Sequence, residues 1–202
     1  MESFNECLKL AKGGEKQWCY KVGEFYEQGN EVEQSYDKAF EWYKKGAQLR
    51  SYASLLIHRE ENYKIKKEEY ENLVDYTYRL ALRYFTGDGV KQTFKEAIRL
   101  FEICSTSLDK SDSVYESRVY LGMIYEYGLG VEQNYIKAAE YYLGSIVKYS
   151  NPWKVVRRPL FIRALSRLGY LYEHGLGVNT CKTEAFLWYK KASYIRYLSM
   201  AF

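Results

Sequence analysis

The chain has 202 residues, of which 47% are apolar and 18% are aromatic, so it can bury the core of one or two compact domains. Its formal net charge is only +4, which disfavours nucleic acid as a partner, because nucleic-acid-binding domains usually carry a strongly basic face. No run approaches the roughly 18 consecutive apolar residues of a membrane span, and no secretory signal is recognisable. Four scattered cysteines fit a reducing compartment, so we expect a cytoplasmic protein.

Residues 4–12 form the first predicted element, a single short helix. Four copies of one pattern follow it, and each copy starts from a small residue that we call the anchor. The anchors are Gly23, Ala81, Gly122 and Gly169. In every copy a tyrosine stands three residues after the anchor, a glycine six, a valine nine and an alanine sixteen residues after it. A bulky pair at offsets nineteen and twenty closes each copy. Agreement this dense indicates an internal repeat.

These offsets predict a helical hairpin in each copy. The small anchor lets a second helix approach closely, and the glycine at offset six ends the first helix, because glycine takes the left-handed conformation of a helix cap. A further glycine stands at offset eight in three copies, but Glu31 replaces it in the first copy, so we expect that turn to differ. The alanine and the bulky pair share one face of the second helix. Such a hairpin must stack on a neighbour to bury its apolar face.

The string at residues 121–131, Leu-Gly-Met-Ile-Tyr-Glu-Tyr-Gly-Leu-Gly-Val, followed by Lys137-Ala138, resembles the Sel-1-like repeat, a relative of the tetratricopeptide repeats. The resemblance implies an all-α fold, a right-handed α-α superhelix (solenoid) of helical hairpins. It predicts one domain over residues 1–202, with residues 4–12 as an N-terminal half-repeat cap. The four repeats are expected at residues 14–50, 75–109, 115–150 and 161–197.

The anchors lie farther apart than the roughly 36 residues usual for the family. The excess falls between the repeats. Residues 51–74 carry mixed charges and good helix formers, which predict a helical insertion. Residues 150–160 are bounded by Pro152 and Pro159 and are predicted to form a loop insertion.

No residue pattern predicts catalysis, a metal site or a cofactor. The two histidines, His58 and His174, lack partners at metal-ligand spacing. The Gly-x-Gly elements end helices rather than follow strands, so they are interpreted as helix caps and not as phosphate-binding loops. Cysteine-rich relatives have been linked to β-lactam hydrolysis, but they carry paired cysteines in each repeat, and no repeat of this chain does. A hydrolase is therefore the weakest of the functional hypotheses.

By analogy with the tetratricopeptide groove, the first helices are expected to line a concave face that binds another protein. Rings, a thioether and carboxylates predicted on that face could supply apolar anchors within a polar rim. An unpaired basic cluster near the loop insertion could steer an acidic partner. The predicted partner-binding residues are Tyr20, Glu24, Glu27, Tyr78, Leu82, Phe85, Met123, Glu126, Tyr127, Tyr170, Glu173 and His174, with Arg157, Arg158 and Arg163 as the basic cluster. The alternative is that some of these residues only pack between neighbouring first helices, and that the arginines form an ordinary solvated surface.

The favoured function is a non-catalytic adaptor or scaffold that binds a partner protein. A cytosolic immunity or neutralising protein, or a pathogen factor that binds a toxin or a host protein, is the alternative. The sequence leaves the partner and the oligomeric state open.

Overall fold

A computed structural model describes residues 3–15, 17–47, 63–107, 111–146 and 159–200. Within these ranges the regular secondary structure is nine α-helices. The helices are α1 (Phe4–Lys12), α2 (Trp18–Gln28), α3 (Tyr36–Ala47), α4 (Tyr63–Thr86), α5 (Phe94–Ser105), α6 (Asp112–Tyr127), α7 (Tyr135–Ile146), α8 (Pro159–His174) and α9 (Lys182–Met200). The predicted all-α class is confirmed. None of the described helices is long and apolar enough to cross a membrane.

The helices after α1 form four consecutive hairpins, α2–α3, α4–α5, α6–α7 and α8–α9, which are the four repeats. The chain divides into two compact units, residues 1–104 and 105–202. Repeats one and two belong to the first unit, and repeats three and four belong to the second. The expectation of one domain over the whole chain stays a prediction.

Each glycine anchor lies under an aromatic ring of the second helix. A Cβ atom built on Gly122 would lie 2.6 Å from the ring of Tyr142, and one built on Gly169 would lie 2.7 Å from the ring of Tyr189. Both distances are well below van der Waals contact, so a methyl group at either anchor would push the ring away. The anchor is therefore small because the ring at offset twenty packs on the backbone of the first helix.

The turn after each first helix uses left-handed residues, as predicted. In repeat three, Gly128 has φ +65° and its N–H donates to the carbonyl oxygen of Ile124, which caps α6. The expectation that Glu31 would alter the turn of repeat one is wrong, because this residue takes the same left-handed conformation with φ +56°. Its carboxylate Oε2 accepts a hydrogen bond from the N–H of Phe4 at 2.9 Å. A residue that costs backbone strain at this position thereby satisfies a free donor at the start of α1.

Gly177 needs to be glycine for two separate reasons. Its φ of +69° is left-handed, and a Cβ atom would collide with the backbone of Tyr135 and Ile136. The turn of repeat four thus packs directly on the start of α7, the second helix of repeat three. This contact joins the two hairpins of the second unit.

Helix α1 packs on α2, and its role as a half-repeat cap stays a prediction. Its buried face is Phe4, Cys7 and Ala11, which form a core with Cys19 and Val22 of α2. The side chain of Ser3 and that of Glu6 complete a capping box at the start of the helix. The outward face of α1 is mainly polar and carries two lysines in its last turn.

The two predicted insertions fall only partly on described residues. Residues 63–74 of the predicted helical insertion form the first half of α4, which continues without a break to Thr86. The remainder of that insertion lies outside the described residues. Of the predicted loop at 150–160, residues 150–158 lie outside the described residues, and α8 begins at Pro159.

Candidate functional site

Side chains of two neighbouring first helices, α6 and α8, form a mixed aromatic and cationic surface in the second unit. On α8, Arg167, Tyr170 and His174 lie one turn apart, so they share one helix face. The guanidinium of Arg167 lies 4.4 Å from the ring centroid of Tyr170, and the ring centroid of His174 lies 4.2 Å from that of Tyr170. The ring of Tyr127, at the end of α6, is 5.8 Å from the same guanidinium. Tyr127 keeps 53% of its surface exposed.

One helix turn before these residues, Arg163 of α8 approaches Met123 of α6. Its Nη1 lies 3.8 Å from the sulfur of Met123. Arg163 is exposed and makes no ion pair with any carboxylate in the described part of the chain. We call Met123, Tyr127, Arg163, Arg167, Tyr170 and His174 the α6–α8 face. The sequence predicted five of these residues on a binding surface. In the structure Met123 contacts Arg163, Tyr170 contacts His174, and the rings of Tyr127 and Tyr170 both lie near Arg167.

Arg167, the sixth member, also holds a buried carboxylate. Its Nε donates to Glu126 Oε1 at 2.9 Å and to Oε2 at 3.1 Å, and its Nη2 also contacts Oε1. The hydroxyl of Tyr142 donates to Glu126 Oε2 at 2.7 Å. The hydrogen bond with Glu126 raises the pKa of Arg167, and burial together with the nearby carboxylate raises the pKa of Tyr142. Glu126 is only 2% exposed, so this carboxylate joins α6, α7 and α8 and presents no surface to a partner.

The predicted carboxylates of the first unit are also paired inside the protein. Glu27 of α2 accepts a hydrogen bond from the hydroxyl of Tyr43 and forms an ion pair with Arg83 of α4. Glu24, one turn earlier, lies 3.1 Å from the ammonium of Lys21 and 4.0 Å from Arg79 Nη1. These contacts join the first helices of repeats one and two.

Other residues predicted on the binding face turn towards the second helix of their repeat. Tyr20 is buried, and its ring packs on the backbone of Gly46 in α3. The rings of Tyr78 and Phe85 lie 6.1 Å and 6.3 Å from the ring of Phe101 in α5. Tyr20 and Tyr78, both three residues before their anchors, therefore contact the second helix of their own repeat, whereas they were predicted on the binding face. Tyr20 and Glu126 are left out of the candidate face because they are buried.

The remaining predicted residues divide as follows. Leu82 is half-buried on α4. Glu173 is exposed at the end of α8, and its Oε2 accepts a hydrogen bond from the hydroxyl of Tyr189 at 2.9 Å. Burial and this bond raise the pKa of Tyr189 to about 12. Arg157 and Arg158 lie outside the described residues, so the basic cluster stays a prediction apart from Arg163.

In the described ranges, no group of three histidine, cysteine or carboxylate side chains is placed to hold a metal ion. Cys7, Cys19 and Cys104 are buried cysteines outside any disulfide, and Cys181 is a half-buried one. The α6–α8 face presents aromatic rings and positive charge.

The Sel1 repeat family model matches residues 19–51, 74–103, 116–143 and 162–194, which together make up more than half of the chain. This chain belongs to the Sel1 repeat family. The four matched segments coincide with the four hairpins, so the predicted family is confirmed. Sel1 repeats are generally protein-interaction modules, and proteins built from them are typically non-catalytic.

The fold is similar to that of a solved Sel1 repeat structure. The crystal structure of a Sel1 repeat protein from Oxalobacter formigenes is 19% identical, covers 95% of this chain and 63% of that chain, and superposes with a TM-score of 0.65. A second structure, c5321, is described as a protective antigen present in uropathogenic Escherichia coli strains displaying an SLR fold. It is 19% identical over 96% of this chain and 49% of that chain, with a TM-score of 0.34. The chain thus spans less than two thirds of either protein. No curated protein matches the sequence.

Among the residues of this Sel1 repeat protein, Arg167 is the one that sequence reasoning missed. The sequence patterns assign it no role, whereas in the structure it connects Glu126 with the rings of Tyr127 and Tyr170. A signal was present in the repeats themselves. Glutamate at offset four occurs only in the copies that have tyrosine at offset twenty, and repeat two has Phe85 and Phe101 instead.

Proposed function

We propose that this Sel1 repeat protein is a non-catalytic adaptor or scaffold that binds a partner protein through the α6–α8 face. The observation that carries the proposal is the half-exposed ring of Tyr127 beside Arg167 and Tyr170. Tyrosine and arginine are the residue types that most often dominate protein interfaces, because they combine a large apolar area with directed polar groups. The core of the second unit does not require an exposed ring at this position.

The charge of the face indicates the kind of partner. Arg163 makes no ion pair with a described carboxylate, and Arg167 neutralises the buried Glu126. His174 adds an exposed ring at the end of the same helix. The face therefore suits a segment with an acidic residue beside an apolar or aromatic side chain. If the predicted basic residues Arg157 and Arg158 add to this field, they would strengthen the attraction of an acidic segment.

The first helices of the first unit offer fewer side chains to a partner. Glu24 and Glu27 are engaged with lysine and arginine side chains, and Tyr78 and Phe85 pack on Phe101. We therefore assign the main contact to the second unit. The proposed compartment is the cytoplasm, where cysteine thiols stay reduced and outside disulfides.

The test starts with affinity purification of the full chain from its own cells, followed by mass spectrometry and calorimetry with the purified partner. Changing both Tyr127 and Tyr170 to alanine should lower the affinity for the partner by more than about tenfold and leave the fold intact. The matched control is Ile136→Ala, which removes an exposed apolar side chain from the second helix α7. A complex that tolerates the double change but not the control would overturn the proposal.

A second measurement tests whether the charge of Arg163 speeds association with the partner. Arg163→Gln should mainly slow association at low ionic strength, because charge steers the encounter of two proteins before they touch. The difference between the variant and the wild type should shrink as salt is added. An association rate that is equally slow at all salt concentrations would contradict a steering role.

A further inference from the structure

A small cleft lies between α6 and α7, the two helices of repeat three. Its volume is about 320 Å³, and it is lined by Arg118 of α6 and by Lys137, Glu140, Tyr141 and Gly144 of α7. All five residues belong to the second unit, and none of them is part of the α6–α8 face. We call it the Arg118 cleft. Its volume is at the lower end of the range of clefts that bind small molecules.

The guanidinium of Arg118 is held in place by backbone carbonyl groups. Its Nε and Nη2 donate to the carbonyl oxygen of Ser105 at 3.2 Å and 2.8 Å, and its Nη1 donates to that of Gly144 at 2.8 Å. The ring of Tyr115 lies 5.4 Å from the guanidinium carbon. Because these contacts already fix the half-buried side chain, a ligand that binds it causes little further loss of conformational entropy.

Two N–H groups of Arg118 remain for a ligand. A guanidinium has five N–H donors, and one donor each of Nε, Nη1 and Nη2 binds a carbonyl oxygen. The second N–H of Nη1 and that of Nη2 have no hydrogen-bond partner in the described part of the chain. Nε and Nη2 share one acceptor on one edge of the group, so the remaining N–H of Nη2 lies on the edge between the two terminal nitrogens. Gly144 lies beside Cδ and Nη1, which leaves the remaining N–H of Nη1 on that same edge. Such a pair of donors matches the two oxygens of a carboxylate.

The other side chains of the cleft indicate the charge and shape of the ligand. The ammonium of Lys137 lies 4.8 Å from the ring centroid of Tyr125, and this ring stacks on that of Tyr141 at 5.7 Å. Glu140 is exposed and forms no ion pair within the described residues. Arg118 and Lys137 carry two positive charges against the one negative charge of Glu140, so the cleft suits a singly charged anion better than a dianion. The ring of Tyr141 suits a planar, apolar body.

We propose that the Arg118 cleft binds a small aromatic carboxylate. Its two oxygens accept hydrogen bonds from the free N–H groups of Arg118, and its ring packs on Tyr141. Lys137 adds a second positive charge. Gly144 leaves the space for the ring, because a long side chain at this position would fill the cleft. This site is independent of the proposed binding of a partner protein to the α6–α8 face.

Titration of the full chain with benzoate tests the proposal. Two-dimensional NMR of the nitrogen-labelled protein follows the side-chain Nε–H signal of Arg118. We expect a saturable shift with benzoate. Benzamide has the same shape without the charge, and inorganic phosphate has charge without the ring. Each should bind at least about tenfold more weakly than benzoate, because each lacks one of the two contacts. Equal binding of benzamide or of phosphate would overturn the proposal.

Two variants locate the bound benzoate. Gly144→Leu fills the cleft and keeps Arg118, so it should abolish the shift. A Cβ atom at Gly144 would lie 3.5 Å or more from every neighbour, so we expect this variant to fold, which thermal denaturation checks. Arg118→Lys keeps the charge but removes the paired donors, and benzoate binding measured by calorimetry should weaken by about fivefold or more.

A matched pair of lysine changes tests the charge of the cleft. Lys137→Gln should weaken benzoate binding at low ionic strength, whereas Lys190→Gln, which removes an exposed lysine of α9, should not. Tyr127→Ala on the α6–α8 face should also leave benzoate binding unchanged, which separates this site from the proposed function. Absence of saturable benzoate binding, or undiminished binding by Gly144→Leu, would overturn the proposal.

Discussion

Repeats two and three differ in the side chains that pack between their two helices at offsets four and twenty. In repeat three, Gly122 lies under the ring of Tyr142, and the tyrosine hydroxyl binds the buried Glu126. In repeat two, the corresponding side chains are Phe85 and Phe101, whose rings contact each other at 6.3 Å, and the anchor is Ala81. One repeat uses a polar network at this position, and the other uses an apolar pair.

The difference shows what a buried carboxylate requires. An unpaired charge in a protein interior costs several kcal/mol, whereas two phenylalanines need no partner. Glu126 is tolerated because Tyr142 and Arg167 donate to it from two other helices. The polar version therefore ties repeat three to repeat four, which the apolar version could not do through a directed bond.

Replacing Arg167 should change the stability more than any other substitution considered for these two repeats. Arg167→Met keeps much of the side-chain length but leaves Glu126 buried without its positive partner. We expect the free energy of unfolding to fall by about 3 kcal/mol, measured by urea denaturation at neutral pH. Arg163→Met on the same helix is the control and should change it by less than about 0.5 kcal/mol. Equal effects of the two changes would mean that the Glu126 ion pair does not hold the repeats together.

Exchanging glycine and alanine at the anchors should have the next largest effect on stability. Gly122→Ala places a methyl group about where the ring of Tyr142 now packs, so we expect a loss of about 2 kcal/mol. Ala81 already occupies the anchor position of repeat two, and Ala81→Gly there should cost only about 1 kcal/mol through helix propensity and lost contact. Thermal denaturation of the two variants measures the contrast. A harmless methyl group at Gly122 would show that the ring does not require a glycine.

Tyr142 of repeat three should make the stability depend on pH in the alkaline range. Its counterpart in repeat two, Phe101, cannot ionise and so has no such effect. The pKa of Tyr142 is raised above its ordinary value of 10.0 in the folded protein, so the unfolded chain loses this proton first as the pH rises. The free energy of unfolding should therefore fall above pH 10, by up to about 1.4 kcal/mol per pH unit for this one group. Tyr142→Phe should lower stability by about 1 kcal/mol at neutral pH and flatten the alkaline fall. Parallel profiles of the variant and the wild type between pH 9 and about 11 would contradict this.

Replacing the polar network of repeat three with apolar side chains like those of repeat two should have the smallest effect on stability. The triple variant Glu126→Phe, Tyr142→Phe and Arg167→Leu removes the charges together and supplies apolar volume. We expect its stability to stay within about 1 kcal/mol of the wild type, because complete replacement of a buried ion pair is often neutral. Urea denaturation compares it with Arg167→Met alone. A triple variant that is less stable than the single one would mean that shape rather than charge decides this position.

Much of the fold could be predicted from the sequence because the same residue pattern occurs in four copies that can be compared. Offsets that recur four times identified the hairpins, the anchors and the capping glycines without any knowledge of long-range contacts. The unusual Glu31 could not be interpreted in the same way. Its left-handed backbone is accepted together with a hydrogen bond to Phe4, which comes from outside the repeat.

The candidate site was harder to predict because its key contacts are not periodic. Arg83 stands two residues after its anchor, and Arg167 stands two residues before its anchor, yet both bind the glutamate at offset four of the preceding repeat. A repeat alignment therefore gives no common position for them. The same applies to Tyr20, whose burial depends on the close approach of Gly46 in the partner helix of its hairpin.

Site-specific photo-cross-linking tests the proposed function most directly. A benzophenone amino acid replaces Tyr127 on the α6–α8 face in one variant and the exposed Glu140 on the second helix α7 in the other. Each variant is irradiated in the cells of origin, and the cross-linked proteins are compared by mass spectrometry. We predict that position 127 yields a specific partner that position 140 does not. Cross-linking of the partner from position 140 alone would place binding on the second helices and contradict the account.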